Sequence, residues 1–257
     1  MSEIIVSIRD LVKSYGPNRI LHDVSFDLLR GKTNVIIGPS GSGKSVMMRQ
    51  LIRLEEPDSG AIIFDGADIA KVEGKALSSL RRRFGMVFQH SALFDFMNVF
   101  ENVAFPLREH TKLSRAEIRD RVEERLESLG ILDAAQKMPA ELSGGMQCRV
   151  AVARALILET ELVVYDEPTT GLDPLTTKTV DELILEAAEK FGVTSVVISH
   201  DMASVFRIAD QITVLNFGHV EASAPPAQLM HEVSDSVREF ILASGVDPLS
   251  IVKMRKT

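Results

Sequence analysis

The chain has 257 residues, of which 45% are hydrophobic and 25% charged, the composition of an ordinary globular protein with a sizeable core. Its formal net charge of −7 argues against general nucleic-acid binding, which needs a basic surface, so nucleic acid is not an expected partner. A single cysteine excludes an internal disulfide bond and favours a reducing, cytosolic compartment, and no run approaches the ~18 apolar residues of a membrane span, so work at a membrane is expected only through a partner.

The first thirty residues alternate apolar and polar side chains, which predicts strands of an antiparallel sheet with one solvated face. The segment around Ile63 is expected to join that sheet. Short runs rich in β-branched residues predict strands that are buried on both faces, as in a parallel α/β sheet. These runs are residues 33–38, 85–89, 162–167, 194–201 and 211–218. Helices are predicted between them, notably over residues 44–54 and 175–191.

The middle of the chain, residues 93–158, is predicted to be a helical insert that interrupts the sheet without forming an independent domain. Ser114 and Glu117 form a capping box, and Gly130 is a helix stop. The buried face of that helix is predicted to consist of Ile118, Val122, Leu126 and Leu129.

Residues 223–257 are predicted to be a C-terminal extension of a main domain that spans residues 1–222. The extension contains an amphipathic helix with Val237, Phe240 and Ile241 on one face. That helix is expected to pack on the core or on a neighbouring subunit. For the basic end of the extension, contact with anionic lipid and a disordered terminus both remain open. Its basic residues are Lys253, Arg255 and Lys256.

The segment GPSGSGKS, residues 38–45, follows a predicted strand and precedes a predicted helix, which is the setting of a phosphate-binding loop. Its glycines let backbone N–H groups approach the β- and γ-phosphates. Lys44 supplies a positive charge, and the hydroxyl of Ser45 is offered to Mg²⁺. The sequence therefore predicts a site for ATP and Mg²⁺.

Further polar residues end neighbouring predicted strands, at the sheet edge where ligands gather. Asp166 is predicted to hold the Mg²⁺ shell, and Glu167 to accept a proton from an attacking water. Gln89 is expected to reach a metal-bound water, and His200 to contact the γ-phosphate. For Tyr15, stacking on a base and burial in a core are both open.

A second helix start resembles an anion site, because Ser143 caps a helix that begins with Gly144 and Gly145. It lies in the helical insert, away from the phosphate loop. Two copies placed head to tail would bring each phosphate loop to the other copy's second helix start, so that two ATP molecules join a symmetric dimer. Asp173 would cross the same interface.

These residues together resemble the ATP-binding cassette family, in family order, over about residues 4–220. Residues 38–45 resemble its Walker A motif, residues 162–167 its Walker B motif and residues 142–146 its signature, in which Met146 replaces the usual glutamine. Gln89, Asp173, His200 and Tyr15 resemble the Q-loop, D-loop, switch histidine and A-loop. The implied ATP-binding residues are Tyr15, Gly38, Pro39, Ser40, Gly41, Ser42, Gly43, Lys44, Ser45 and Val46. The implied fold is an α/β P-loop NTPase of RecA-like type, with an antiparallel β subdomain and a helical insert.

Residues 91–114 and the methionine in the signature look like those of the ATPase subunits of Mla/Mce-type lipid transporters of bacterial envelopes. That family implies membrane permease subunits, a Mce-type lipid-binding protein, and a location on the cytoplasmic side of the inner membrane. A small regulatory subunit is possible. An apolar group after Gln89 favours a groove for a permease helix, although these side chains could equally fill the insert's core. The group is Leu93, Phe94, Phe96, Met97, Val99 and Phe100.

Three functions compete at this point. The leading one is an ATPase that powers lipid transport through permease subunits. The second is a soluble ATPase of the same family that is not coupled to transport, although the long coiled coils and basic arms of such relatives are not seen. The third is a non-catalytic, ATP-gated interaction module, against which Glu167 and His200 argue.

Overall fold

A computed structural model describes residues 3–248, 250 and 251 of the chain, which form two β-sheets surrounded by helices. The strands are β1 (Ile4–Tyr15), β2 (Asn18–Leu29), β3 (Thr33–Ile37), β4 (Ser59–Phe64), β5 (Ala67–Asp68), β6 (Phe84–Val87), β7 (Leu162–Asp166), β8 (Thr194–Ile198), β9 (Gln211–Asn216) and β10 (His219–Ala224). The helices are α1 (Lys44–Leu51), α2 (Gly74–Arg81), α3 (Val99–His110), α4 (Arg115–Ser128), α5 (Gly144–Leu156), α6 (Pro174–Phe191), α7 (Met202–Ile208), α8 (Pro226–Glu232) and α9 (Asp235–Leu242). Within the described residues, none of these helices combines the length and the apolar character needed to cross a membrane.

The smaller sheet is antiparallel, with strand order β2-β1-β4-β5. Its strands alternate between buried and exposed positions, because one face packs on the core and the other meets solvent. Ile8 and Leu28 lie on the buried face, and Arg9 and Asp27 form an ion pair on the exposed face. The predicted antiparallel subdomain is confirmed.

The larger sheet has the order β10-β9-β3-β8-β7-β6, and all its strands are parallel except β10. Every residue of β3 and β8 is buried, as expected for strands that are covered on both faces. The carboxyl ends of β3, β6, β7 and β8 lie at one edge, and the loops that leave this edge carry most of the predicted site residues. The α/β fold class is confirmed.

The larger sheet separates two hydrophobic cores, because successive side chains of a strand point to opposite faces. On β7, Val163 and Tyr165 lie in one core and Leu162 and Val164 lie in the other. The first core also contains apolar residues of the helical insert and of the C-terminal helices. The second contains the buried face of the antiparallel sheet and residues of α1.

The helical insert consists of α3, α4 and α5. Ser114 and Glu117 form the predicted capping box at the start of α4, and Gly130 follows its end with a φ of 67°. The four residues predicted for the buried face, Ile118, Val122, Leu126 and Leu129, are all buried in the first core. The insert thus shares its core with the sheet.

The C-terminal extension packs on the main body of the chain. Ser223 and Ala224 pair with β9 as part of β10, so these two residues belong to the sheet. Val237 and Ile241 of α9 are buried in the first core, and Phe240 packs against it. The division into residues 1–222 and 223–257 stays a prediction, and the basic residues Lys253, Arg255 and Lys256 lie outside the described residues.

Several predicted boundaries are wrong, and the strands predicted to end at residues 38, 167, 201 and 218 end at Ile37, Asp166, Ile198 and Asn216. The helix predicted over residues 44–54 ends at Leu51, because Arg53 has a φ of 57°, which a helix cannot continue through. The strand predicted over residues 85–89 ends at Val87. Ser91 donates a backbone hydrogen bond to Phe88 of 2.9 Å, so the chain turns there and Gln89 lies two residues beyond the strand.

Candidate active site

The phosphate loop, residues 38–45, connects β3 to α1 and has the backbone that a phosphate site needs. Gly38 lies against the backbone of β9, where an added Cβ would come within 1.9 Å of the carbonyl oxygen of Leu215. Gly43 has a φ of 100° at the start of α1, and no side chain caps this helix. The first N–H groups of α1 are therefore free to receive an anion from solvent.

Lys44, at the start of α1, turns back toward the loop. Its Nζ donates hydrogen bonds of 2.8 and 2.9 Å to the carbonyl oxygens of Gly38 and Pro39. Burial lowers the pKa of the Lys44 ammonium, and the negative charges of Glu167 and Asp166 oppose this shift. The ammonium thus lies in the same electrostatic environment as the two carboxylates at the end of β7. Ser45, next along, is exposed.

Asp166 and Glu167 lie at the carboxyl end of β7, as the sequence predicts. Burial first, and then the neighbouring charge of Glu167, raise the pKa of Asp166, while Arg49 and Lys44 lower it. A half-buried carboxylate with an acidic neighbour is stabilised by a cation. This environment, together with the exposed hydroxyl of Ser45, provides oxygen ligands of the kind that Mg²⁺ prefers.

Glu167 and His200 contact each other across the edge of the sheet. Nδ1 of His200 lies 2.8 Å from Oε2 of Glu167, and the hydroxyl of Thr170 donates to the same oxygen at 3.2 Å. Glu167 has a φ of 50°, and its backbone N–H donates to the carbonyl oxygen of Ile198 on β8. This contact fixes the residue beside the end of the strand that leads to His200. The Glu167 side chain is 19% exposed and that of His200 63% exposed, so both can be reached from solvent.

The second predicted anion site lies at the start of α5. Ser143 caps the helix by accepting a hydrogen bond from the backbone N–H of Met146 at 3.4 Å. Ser143 and Gly144 are exposed. A Cβ added to Gly144 would lie 3.0 Å from the side chain of Leu172. The start of α5 therefore lies beside the segment that leads into α6.

Asp173 caps α6, accepting hydrogen bonds from the backbone N–H groups of Leu175 and Thr176. The residue itself is exposed, and the neighbouring Leu175 is 75% exposed. Asp173 and the glycines of α5 thus lie on one solvent-exposed part of the surface.

Comparison with known proteins places this arrangement in a family. The sequence profile of the ABC transporter family matches residues 21–170, more than half of the chain. The chain belongs to the ABC transporter family. It is an ATP-binding cassette that hydrolyses ATP and couples hydrolysis to transport.

Two curated relatives and one solved structure represent the similarity. The chain is 41% identical over 246 residues to the intermembrane phospholipid transport system ATP-binding protein MlaF of Escherichia coli, covering 95% of this chain and 91% of that protein. It is 38% identical over 248 residues to the probable ribonucleotide transport ATP-binding protein mkl of Mycobacterium leprae, covering 96% of this chain and 72% of that protein. The dimeric structure of the bacterial ABC transporter cassette MJ0796 superposes with a TM-score of 0.75 at 32% identity, covering 86% of this chain and 98% of that one.

Tyr15, which is predicted to be the A-loop residue, ends β1 and is 42% exposed. Its burial in a core is therefore excluded, and stacking on a base stays a prediction. The Tyr15 hydroxyl donates to Oε2 of Glu55, and Arg49 of α1 donates to Oε1 of the same carboxylate at 2.8 Å. That hydrogen bond with Glu55 is the main cause that raises the pKa of the Tyr15 hydroxyl.

Gln89, which is predicted to be the Q-loop residue, is exposed in the turn after β6. The apolar group that follows it divides between core and surface. Val99 is fully buried, and Leu93 and Phe100 pack against the core. Phe96 is 75% exposed. Phe94 lines a groove of about 570 Å³ with Phe88, Phe105, Pro106, Arg154 and Leu158.

Sequence reasoning missed several side chains that support the cassette's site. Thr170 contacts Glu167, and Glu55 binds both Tyr15 and Arg49. Arg154, near the end of α5, binds the backbone just after Gln89. Thr170 lies three residues after Glu167, so a local capping pattern could have suggested it. The contact of Glu55 with Tyr15 and the contacts of Arg154 join residues distant in sequence, and no local pattern indicates them.

Proposed function

We propose that this chain is the ATPase subunit of a transporter that moves phospholipids in a bacterial envelope through membrane permease subunits. It would bind those subunits as a peripheral protein on the cytoplasmic side of the inner membrane. The observation that carries the proposal is the 41% identity to a phospholipid transport ATPase over 95% of the chain. The edge of the sheet supports it, with Glu167 in contact with His200 beside the phosphate loop.

ATP would bind with its phosphates at the uncapped start of α1, held by the backbone of residues 38–46 and by Lys44, with its base on Tyr15. Glu167 would accept a proton from the attacking water, and His200 would orient Glu167 and reach the γ-phosphate. The contact between these two side chains favours an enzyme over a non-catalytic module.

Ser45, Asp166 and Gln89 would hold Mg²⁺. When bound there, Mg²⁺ neutralises charge on the phosphate oxygens. Within the described residues no group of three or more His, Cys, Asp or Glu could hold a metal ion. A Mg²⁺ site usually takes one or two carboxylates from the protein and completes its ligands with substrate phosphates.

Two copies would form the complete ATPase. The signature residues Ser143, Gly144, Gly145 and Met146 would contact the γ-phosphate on the phosphate loop of the partner. The exposure of Ser143, Gly144, Asp173 and Leu175 supports an interface here, because an exposed leucine beside a polar loop gains from burial in a dimer. MJ0796 was solved as a dimer, and a second structure of it holds ADP and Pi after hydrolysis.

The groove lined by Phe88, Phe94 and Phe105 is the proposed docking site of the permease. Its apolar rings fit the apolar face of a short helix. Its position next to Gln89 would let movement of the docked helix follow movement at the nucleotide. A Mce-type lipid-binding protein is proposed as a further component of the complex, and a small regulatory subunit remains an open addition.

The catalytic proposal is tested by Glu167→Gln in the purified chain. We expect ATP turnover to fall by roughly 100-fold or more, because the proton acceptor is lost. The variant should also form a dimer with ATP that persists during gel filtration, since binding is kept and hydrolysis is not. Glu159→Gln is the matched control, because the Glu159 side chain is 82% exposed and lies away from the site. Full turnover by Glu167→Gln would contradict the proposal.

The cargo is tested by purifying the chain with its permease partners and identifying what is bound. Phospholipid in the complex, with ATPase activity that rises on reconstitution into phospholipid vesicles, would support the proposal. Bound ribonucleotide other than the ATP and ADP of the cassette, without lipid, would favour the cargo named for mkl. A chain that purifies with no membrane subunit would favour the soluble alternative.

A further inference from the structure

The chain takes an unusual path immediately after Gln89. His90, Ser91 and Ala92 have φ values of 56°, 64° and 41°, so three consecutive residues with a Cβ adopt left-handed backbone. That conformation is unfavourable for such residues, and runs of it are rare. The turn contains two local backbone hydrogen bonds, from Ser91 to Phe88 at 2.9 Å and from Ala92 to His90 at 2.8 Å, and such backbone persists where the surrounding structure supports it. We call residues 90–92 the left-handed turn.

Arg154 supplies the outside contact. Its Nη1 donates to the carbonyl oxygen of Ala92 at 2.9 Å, and its Nη2 donates to the carbonyl oxygen of Ser91 at 3.0 Å. Its guanidinium also lies 5.7 Å from the centre of the Phe94 ring. Arg154 is partly buried, and this burial lowers the pKa of its guanidinium. A planar guanidinium can bind two neighbouring carbonyls at once, and an ammonium cannot match that geometry.

Arg154 is a residue of α5, the helix that begins with the signature glycines, so one rigid element carries both features. Gln89, the predicted Mg²⁺ ligand, directly precedes the left-handed turn. Ala92, Phe94 and Arg154 also line the groove proposed for the permease. The segment that Arg154 contacts therefore follows Gln89 directly and also lines the groove. Through Arg154, this segment is connected to α5.

We infer that Arg154 is a positioning residue that sets the place of Gln89 by holding the left-handed turn to α5. Movement of α5, whose first residues face the partner's nucleotide in the proposed dimer, is then transmitted to Gln89 through two hydrogen bonds. The inference rests on the proposed role of Gln89 at the nucleotide, and it is independent of which cargo is carried.

The test is a double-mutant cycle on ATP turnover by the purified full chain, using Arg154→Lys and Gln89→Ala. Arg154→Lys keeps the charge and the stem but loses the two-pronged geometry. We expect it to lower kcat by roughly 10- to 100-fold, because a misplacement of about 1 Å can cost that much. In the Gln89→Ala background, the same substitution should cause less than about a twofold further loss, since its effect acts through Gln89.

Hydrogen exchange of the segment 88–98 gives a second readout that does not depend on turnover. Arg154→Lys and Arg154→Met should speed exchange in this segment while the melting temperature stays within a few degrees of the parent. Arg149→Met is the matched control on the same helix, because Arg149 donates to the carbonyl oxygen of Leu129 at 3.2 Å and does not contact the turn. It should leave both readouts unchanged.

Four results would overturn the inference. Losses that multiply in the double variant would show that Arg154 acts without Gln89. Unchanged exchange of residues 88–98 in both Arg154 variants would show that the turn does not need the contact. Normal turnover by Gln89→Ala would remove the role of Gln89 together with the inference, whereas a defective Gln89→Ala with a normal Arg154→Lys removes the inference alone.

Discussion

Cys148 is the residue whose environment makes the clearest chemical prediction. Its side chain is buried in α5, and burial raises the pKa of the thiol from 9.0 to about 12. The thiolate, which is the reactive form, is therefore scarce at pH 8. The native protein should therefore react with a thiol reagent such as DTNB only when it unfolds, whereas the denatured chain should react at once. Rapid labelling of the native protein would contradict this.

The same shift predicts a pH dependence of stability. The unfolded chain loses the Cys148 proton near its ordinary pKa of 9.0, whereas the folded chain keeps it to about 12. The contribution of this group is thus fully present below pH 9 and is lost as the pH rises toward 12. Urea unfolding between pH 8 and 10.5 should show a smaller decline in the free energy of unfolding for Cys148→Ala than for the parent.

Residues that act through a short motif could be predicted from the sequence. Lys44, Asp166 and Glu167 lie where the pattern of strand, loop and helix puts them, because that pattern is local. Tyr15 needed the structure, since nothing near it in sequence shows which face of β1 meets solvent. The strand that was predicted to end at Gln89 ends two residues earlier. The turn that ends it depends on Arg154, which is 65 residues further along the chain than Gln89.

At the scale of elements, the helices α6 and α7 are joined by a buried hydrogen-bond network that supports the site. Asp181 of α6 is fully buried, and it accepts hydrogen bonds from the hydroxyl of Ser204 at 2.5 Å and from the guanidinium of Arg207, both on α7. α6 follows Asp173, and α7 begins two residues after His200. This network therefore connects the two helices that follow Asp173 and His200.

Asp181→Ala should be strongly destabilising, because it leaves Arg207 and Ser204 without their buried partner. We expect the free energy of unfolding to fall by about 3 kcal/mol, as for other broken buried ion pairs. Asp235→Ala is the control, since Asp235 pairs with Arg238 on the surface and its side chain is 97% exposed. That substitution should change stability by less than about 1 kcal/mol. Equal effects in urea unfolding would contradict the assignment.

Most elements could be predicted from hydrophobic periodicity, because both sheets and the helix α4 bury regular faces. The ends of elements could not. Leu51 ends α1 because Arg53 is left-handed, and Val87 ends β6 because the turn after it is bound by another helix. Such ends are decided by contacts between distant parts of the chain, which periodicity does not contain.

At the scale of the whole molecule, the two hydrophobic cores share the strands of one sheet. Val163 and Val164 are neighbours on β7 but lie in different cores. Destabilising either core must therefore weaken the backbone hydrogen bonds of the same sheet. The cores should unfold together, although a chain of this size can unfold in steps.

Val163→Ala and Val164→Ala, made separately, should each lower the free energy of unfolding by about 2 kcal/mol through lost apolar contact. Both should shift one transition, with calorimetry and circular dichroism giving the same midpoint. A variant in which one part melts early while the other keeps its parent midpoint would show that the cores are independent units.

The buried thiol has a practical consequence for the proposed dimer. Because the chain's single cysteine is concealed, surface sulfhydryls can be introduced without first removing a native one. Ser40→Cys would be introduced into one copy and Ser143→Cys into the other, so that these two thiols are the accessible ones in the mixed sample. A short bismaleimide would crosslink the two copies only where the phosphate loop of one faces the signature of the other. The crosslinked product would thus report ATP-dependent dimerisation directly, in copies that each carry no other substitution.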